Sequence, residues 1–129
     1  MPDRPLNRIC YVEDDEDIQR IVRMSLERVG KMTVEVVGDP TMAIAAINTF
    51  KPDLVMLDWM MPKLDGPALF RQMQTRPDTK ALPVVFITAK AAQRDLDELM
   101  KMGAAATISK PFAPKELPEQ LREIWRKLP

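Results

Sequence analysis

Polar side chains stand directly after four short apolar runs of the sequence: Glu13 with Asp14, Asp58, Thr88 and Lys110. Runs of this length and composition predict buried strands. Because the carboxyl ends of parallel strands meet at one edge of an open α/β sheet, we expect these side chains to gather at the edge where such sheets bind ligands. Carboxylates, a hydroxyl and an ammonium group at one edge are suited to a divalent cation and a phosphoryl group.

The composition narrows this chemistry further. The 129 residues include no histidine, so no Ser-His-Asp or Cys-His relay can form and no imidazole can bind zinc. A metal would be held by oxygen atoms, which favours magnesium, manganese or calcium. The 19 basic and 19 acidic residues give a formal net charge of zero, which argues against direct binding of nucleic acid. No apolar run is long enough to predict insertion into a membrane.

Strand-like and helix-like patterns alternate five times along the chain. Apolar runs predict strands at residues 8–13, 33–37, 53–58, 83–88 and 105–109, and helical periodicity follows each of them. This alternation predicts an α/β domain of three layers, with a parallel sheet covered by helices on both faces. Residues 1–7 are predicted to form a disordered polar arm. Pro118 predicts an irregular first turn in the last helix.

Several motifs in register resemble the receiver domain of two-component response regulators. They are Val12-Glu13-Asp14-Asp15, Asp58-x-x-Met61-Pro62-x-x-Asp65-Gly66, Pro83-Val84-x-x-Ile87-Thr88-Ala89, and Gly103-Ala104 leading to Lys110-Pro111-Phe112. The chain is similar to the stand-alone, single-domain type represented by the chemotaxis response regulator. The resemblance implies a flavodoxin-like (βα)5 receiver domain over residues 8–128, with a parallel sheet in strand order 2-1-3-4-5.

The resemblance also implies a signalling switch that is controlled by phosphorylation. Asp58 would accept a phosphoryl group from a sensor histidine kinase or a histidine phosphotransfer protein. Mg²⁺, or Mn²⁺ in its place, would be held by Asp14, Asp58 and the backbone carbonyl of Met60, with Glu13 acting mainly through bound water. The chain would catalyse only its own phosphotransfer and dephosphorylation, would act in the cytoplasm, and would control a downstream protein.

Further site residues follow from the same resemblance. Thr88, Ala89 and Lys110 would bind the phosphoryl oxygens, and the side chains of Met60 and Lys90 would tune the rate of hydrolysis. The face formed by the fourth helix, the fifth strand and the fifth helix would contact the downstream partner.

Thr107 departs from the pattern of the family. Many receivers carry an aromatic ring or a histidine at this position, and that ring turns inward when the conserved threonine of the family binds the phosphoryl group. With Thr107 in its place, an aromatic flip cannot carry the signal. We therefore expect Thr88 and the segment after it to move instead. Because the charge pattern of the DNA-binding, winged-helix branch is not obvious, we do not expect the dimer of that branch.

Other interpretations stay open at this point. The acidic run Glu13–Asp15 could cap a helix, Thr88 could be an N-cap, and Lys110 could be a solvated surface lysine. An aspartyl-phosphate phosphatase would need an acid at position 60, where the chain has methionine. A nucleotide-binding domain would need a glycine-rich loop after the first strand. The alternative function that we keep is a pseudo-receiver, a scaffold that binds partners without being phosphorylated.

Overall fold

The computed structural model describes residues 2–89 and 93–129. Within these residues, five strands alternate with five helices. The strands are β1 Arg8–Val12, β2 Thr33–Val37, β3 Leu54–Asp58, β4 Val84–Thr88 and β5 Ala106–Ser109. The helices are α1 Glu16–Met24, α2 Ala43–Phe50, α3 Gly66–Gln74, α4 Gln93–Met102 and α5 Leu117–Arg126.

The five strands form one parallel sheet in the order β2-β1-β3-β4-β5. This order confirms the predicted flavodoxin-like topology, in which the chain first moves to one edge of the sheet and then reverses direction. Residues of the central strand β3 and of β4 are buried along their whole length. A long apolar run is therefore needed in both strands, since each is covered by helices on two faces.

Two apolar clusters lie on opposite faces of the sheet, because successive side chains of a strand point in opposite directions. On one face, Ile9 and Tyr11 of β1 pack with residues of α1 and α5, including Val22 and Leu121. On the other face, Cys10 and Val12 pack with residues of α2, α3 and α4. The molecule therefore has the predicted three layers.

Side chains at the ends of the helices explain where several of them begin. The Asp15 carboxylate accepts hydrogen bonds from the first backbone N–H groups of α1, and Asp65 caps α3 in the same way. After α1 the chain continues through one turn of π-helix, Ser25–Val29. Helix α5 begins at Leu117, so Pro118 lies in its first turn, where the missing N–H of proline is not needed.

The N-terminal arm is packed against the domain from residue 4 onwards, although we predicted disorder over residues 1–7. Leu6 is buried in the core, and the indole N–H of Trp125 donates to the carbonyl of Arg4 at 2.8 Å. The buried carboxylate of Asp53 pairs with the Arg4 guanidinium and accepts the backbone N–H of Asn7 at 3.0 Å. A buried carboxylate needs hydrogen-bond donors, and the arm supplies them to Asp53 from Arg4 and Asn7. These contacts hold the arm against the domain.

Among the described residues, no helix combines the length and the apolar character that crossing a membrane requires.

Candidate functional site

Three carboxylates meet at the carboxyl edge of the sheet, as the sequence predicted. Asp58 is the last residue of β3, and Glu13 and Asp14 directly follow the neighbouring strand β1. Carboxylate oxygens of the three residues lie within 4.8 Å of one another. Glu13 and Asp58 are 1% and 7% exposed, whereas Asp14 is open to solvent. One exposed and two buried acids thus form a concentrated negative charge.

Lys110 brings a positive charge into this cluster from the edge strand β5. It follows β5 directly, its backbone N–H donates to the carbonyl of Thr88 at 2.8 Å, and it precedes a cis peptide bond to Pro111. The ammonium Nζ lies 3.0 Å from Oδ1 of Asp58 and 3.2 Å from Oε1 of Glu13. Its side chain is 14% exposed, so Lys110 is not the solvated surface lysine of the alternative interpretation.

The charges of the cluster change one another's proton affinity. The pKa of Asp58 is raised to about 6, and burial is the main cause. The negative charge of Glu13 adds to the increase, whereas the hydrogen bond from Lys110 acts against it. Burial lowers the pKa of Lys110, but its hydrogen bond to Asp58 and the charge of Glu13 outweigh that effect, so this pKa is raised overall. The Lys110 ammonium therefore offsets only part of the effect of burial on Asp58.

Glu13 is fixed by hydrogen bonds from three directions. Its Oε1 accepts the phenol O–H of Tyr11 at 2.7 Å, and its Oε2 accepts the backbone N–H of Asp15 at 3.2 Å. Its carbonyl accepts the side-chain amide of Gln19 at 2.5 Å. The acidic run Glu13–Asp15 could have served only to cap a helix. In the structure Asp15 caps α1, whereas Glu13 points into the cluster.

Tyr11 is the site residue that the sequence reasoning missed. A signal was available, because Tyr11 and Glu13 are two residues apart at the end of β1, and such residues face the same side of a strand. Burial, and then the negative charge of Glu13, raise the pKa of Tyr11, so the phenol keeps its proton and acts as a donor.

The donor set fits a hard divalent cation. Mg²⁺ and Mn²⁺ prefer oxygen ligands, and three carboxylates within reach of one another supply them. In the part of the chain that is described, every buried side-chain nitrogen or oxygen has a hydrogen-bond partner. Asp14, as the exposed member, is the acid through which a cation would enter from solvent.

The other predicted site residues take the following positions. Thr88 is the buried last residue of β4, and Ala89 follows it at the surface. Met60 lies in the turn after β3 and is 75% exposed. Thr107 is half-buried in β5 and is paired with Phe86 of β4. Lys90 lies outside the described residues. Their roles stay predictions.

The turn after β3 folds back tightly on the strand end that carries Asp58. The N–H of Gly66 donates to the carbonyl of Trp59 at 2.8 Å. A Cβ atom at Gly66 would lie 2.3 Å from the carbonyl oxygen of Asp58 and 3.1 Å from the ring of Phe86. That ring in turn packs edge-on against Phe70 of α3, with ring centroids 5.5 Å apart. Only glycine allows this approach, which fixes the backbone around Asp58.

Comparisons with known proteins all point to one family. A family model described as the response regulator receiver domain matches residues 9–122. The phosphate regulon transcriptional regulatory protein PhoB of Escherichia coli is 35% identical over 121 residues, which are 94% of this chain and 52% of PhoB. The alkaline phosphatase synthesis transcriptional regulatory protein PhoP of Bacillus subtilis is 34% identical, over 93% of this chain and 49% of that protein. The chain thus spans about half the length of these curated relatives.

Solved structures agree with the family match. The BeF3-activated N-terminal receiver domain of RstA from Klebsiella pneumoniae has a TM-score of 0.83 and 31% identity, covering 94% of this chain and 100% of that one. The chemotaxis protein CheY4 of Vibrio cholerae has a TM-score of 0.83 at 24% identity, over 92% of this chain and 98% of that one; at this identity it supports the fold alone. The family match, the sheet order and the acidic cluster agree, and the chain belongs to the response regulator receiver domains, the phosphorylation-controlled signalling modules of two-component systems.

Proposed function

We propose that this chain is a signalling switch whose phosphoacceptor is Asp58, with residues 8–128 as the receiver domain. The observation that carries the proposal is the position of Asp58: a carboxylate at the end of β3, 3.0 Å from Nζ of Lys110 and clustered with Glu13 and Asp14. The phosphoryl donor would be a sensor histidine kinase or a histidine phosphotransfer protein. Because these 129 residues include no histidine, the phosphohistidine that donates the group would lie outside them.

The transfer step needs positioning and charge neutralisation more than acid–base chemistry. An oxygen of Asp58 attacks the phosphorus atom, a P–O bond forms, and the P–N bond to the histidine of the donor breaks. Lys110 would then pair with a phosphoryl oxygen as a mobile point charge. The Thr88 hydroxyl and the Ala89 backbone N–H would donate hydrogen bonds to other phosphoryl oxygens.

Asp14, Asp58 and the carbonyl of Met60 would hold Mg²⁺, or Mn²⁺ in its place, with Glu13 acting through bound water. When it is bound, the cation neutralises part of the charge that two approaching anions bring together. The cluster supports this role, because three carboxylates lie within 4.8 Å of one another and Lys110 contacts only Glu13 and Asp58 among them.

Hydrolysis of the acyl phosphate would reset the switch. The side chain of Met60 is exposed beside the site and cannot position a water molecule by hydrogen bonding. We therefore propose a longer-lived acyl phosphate than in receivers that carry an amide at this position, with Lys90 as the second residue that tunes the rate.

The output would pass through the face formed by α4, β5 and α5. A surface groove of about 600 Å³ lies between β5 and α5 on this face. It is lined by Thr107, by the apolar side chains of Ile108 and Ile124, and by acids of α5 that include Glu119. Thr107, at the switch position of the family, lines this groove, and movement of Thr88 and the segment after it would carry the signal to this face. A downstream protein in the cytoplasm, and neither nucleic acid nor a membrane, would be the direct partner.

Incubation with acetyl phosphate and Mg²⁺, followed by intact-mass measurement, tests the proposal. We expect the mass of one phosphoryl group to be added, and we expect EDTA to abolish the addition. The Asp58→Asn variant should stay unmodified, whereas Asp53→Asn, at the other end of β3, should be modified like the wild type. A chain that stays unmodified and binds no Mg²⁺ would instead be the pseudo-receiver scaffold.

A further inference from the structure

Tyr11 places its only polar side-chain atom on the acidic cluster. The residue lies near the carboxyl end of β1, is 0% exposed, and contributes its ring to the core under α1 and α5. Its hydroxyl donates to Oε1 of Glu13 at 2.7 Å. A buried phenol needs a partner for its O–H group, but it could have found one anywhere in the core. Here the partner is one of the three carboxylates of the site.

The oxygen that Tyr11 contacts has a second donor. Oε1 of Glu13 also accepts from Nζ of Lys110 at 3.2 Å, and the same ammonium contacts Asp58 at 3.0 Å. Lys110 is therefore shared between two carboxylates, whereas Tyr11 serves Glu13 alone. Binding of a phosphoryl group by Lys110, as proposed above, would draw the ammonium away from Glu13. Without another donor, an oxygen of a carboxylate that is 1% exposed would then lose its compensation.

We propose that Tyr11 is a positioning residue of the cation and phosphoryl site. Its hydroxyl holds the Glu13 carboxylate in one orientation, so that Glu13 does not depend on Lys110 and stays directed at the cation position. The inference rests on the proposed function, because it assigns Tyr11 a part in that same site. The ring of Tyr11 is packed in the core and the residue lies on a strand, which places a side chain more precisely than a loop does.

The Tyr11→Phe substitution removes the hydroxyl and keeps the ring. We expect Mg²⁺ to bind about 10-fold more weakly, as is typical when the hydrogen-bond partner of a metal-site residue is lost. The titration uses MgCl₂ alone and is followed by the fluorescence of Trp59, which is half-buried next to Asp58. Phosphorylation by acetyl phosphate at sub-saturating Mg²⁺ should slow by a similar factor and recover at saturating Mg²⁺.

Two further variants separate positioning from loss of stability. Ile9→Val lies on the same strand, in the same core cluster, and removes no polar atom; it should leave the Mg²⁺ affinity unchanged. In a Glu13→Gln background, the added Tyr11→Phe substitution should have no further effect, because Tyr11 acts through Glu13. The two effects should therefore not be additive.

The outcomes are distinguishable from those of the proposed function. If Tyr11→Phe binds Mg²⁺ as tightly as the wild type, or no more weakly than Ile9→Val, the inference is overturned while the switch itself stands. If the wild type binds Mg²⁺ but takes up no phosphoryl group, the proposed function fails, and the Mg²⁺ titration still decides the role of Tyr11. A wild type without affinity for Mg²⁺ contradicts both.

Discussion

Replacing the phosphoacceptor Asp58 by asparagine is expected to stabilise the metal-free protein. Burial and the charge of Glu13 work against the hydrogen bond from Lys110 and raise the pKa of Asp58 from 3.8 to about 6. The ionised carboxylate is therefore less favourable in the folded protein than in the unfolded chain. Since a shift of one pKa unit corresponds to about 1.4 kcal/mol, the ionised Asp58 destabilises the folded protein by about 3 kcal/mol at neutral pH. With Asp58 only 7% exposed, solvent screens little of this cost.

The pH dependence follows from the same shift. Above the folded pKa the carboxylate is ionised in both states, and the full cost is present. As the pH falls from 6 towards 3.8, the folded protein takes up the proton first and the cost disappears. Asparagine carries no charge at any pH. We therefore expect Asp58→Asn to increase the free energy of unfolding by about 2–3 kcal/mol near pH ~7.5, and by only about 1 kcal/mol near pH ~4.5.

Urea unfolding in EDTA, followed by tryptophan fluorescence at the two pH values, measures this difference. The matched control is Asp53→Asn, at the opposite end of β3. Burial raises the pKa of Asp53, but hydrogen bonds from Arg4 and from the backbone of Arg8 and Asn7 outweigh it and lower the pKa overall. Its charge is thus stabilising above the unfolded pKa, and the same substitution should destabilise at neutral pH. If Asp58→Asn is no more stable than the wild type at neutral pH, the electrostatic account of the site is wrong.

Three more substitutions test the neighbourhood of Asp58. Gly66→Ala places a Cβ atom 2.3 Å from a backbone oxygen and should cost about 3 kcal/mol of stability in urea unfolding, whereas Gly38→Ala, whose nearest neighbour is a side-chain nitrogen at 3.3 Å, should cost far less. Lys110→Met leaves two buried acids without their counter-charge and should lower the free energy of unfolding by about 3 kcal/mol near neutral pH in EDTA. Much of this loss should be recovered when Asp58→Asn is added. Equal losses of stability in the wild-type and Asp58→Asn backgrounds would refute the pairing. Met60→Asn should speed decay of the acyl phosphate, measured as loss of the added mass with time, and unchanged decay would contradict the role given to Met60.

The sheet could be predicted from the sequence almost to the residue. The predicted strand at 33–37 is confirmed, and the other four predicted strands lie within one residue of the observed bounds. The reason is physical: strands buried on both faces must be continuous apolar runs, and such runs are visible without any tertiary information. Because parallel strands end at a common edge, the meeting of Glu13, Asp58 and Lys110 could be expected from the same runs.

Other features depend on contacts between residues that are distant in the chain. The pairing of Arg4 with Asp53 joins positions 49 residues apart, and neither hydrophobic periodicity nor turn chemistry encodes it. Helix α2 ends at Phe50 and is capped by Lys51 in a left-handed conformation with φ of 58°, where the sequence offers no glycine as a signal. The hydrogen bond from Tyr11 to Glu13 is different, since strand alternation places the two side chains together.

The most direct test of the central claim locates the phosphoryl group in the chain. Protein treated with acetyl phosphate and Mg²⁺ is reduced with borohydride, which converts an aspartyl phosphate to homoserine, and is then digested and sequenced by mass spectrometry. We predict homoserine at position 58 and nowhere else. Homoserine at position 14 or at another acid, or none in a protein that carries the added mass, would contradict the assignment of Asp58 as the phosphoacceptor.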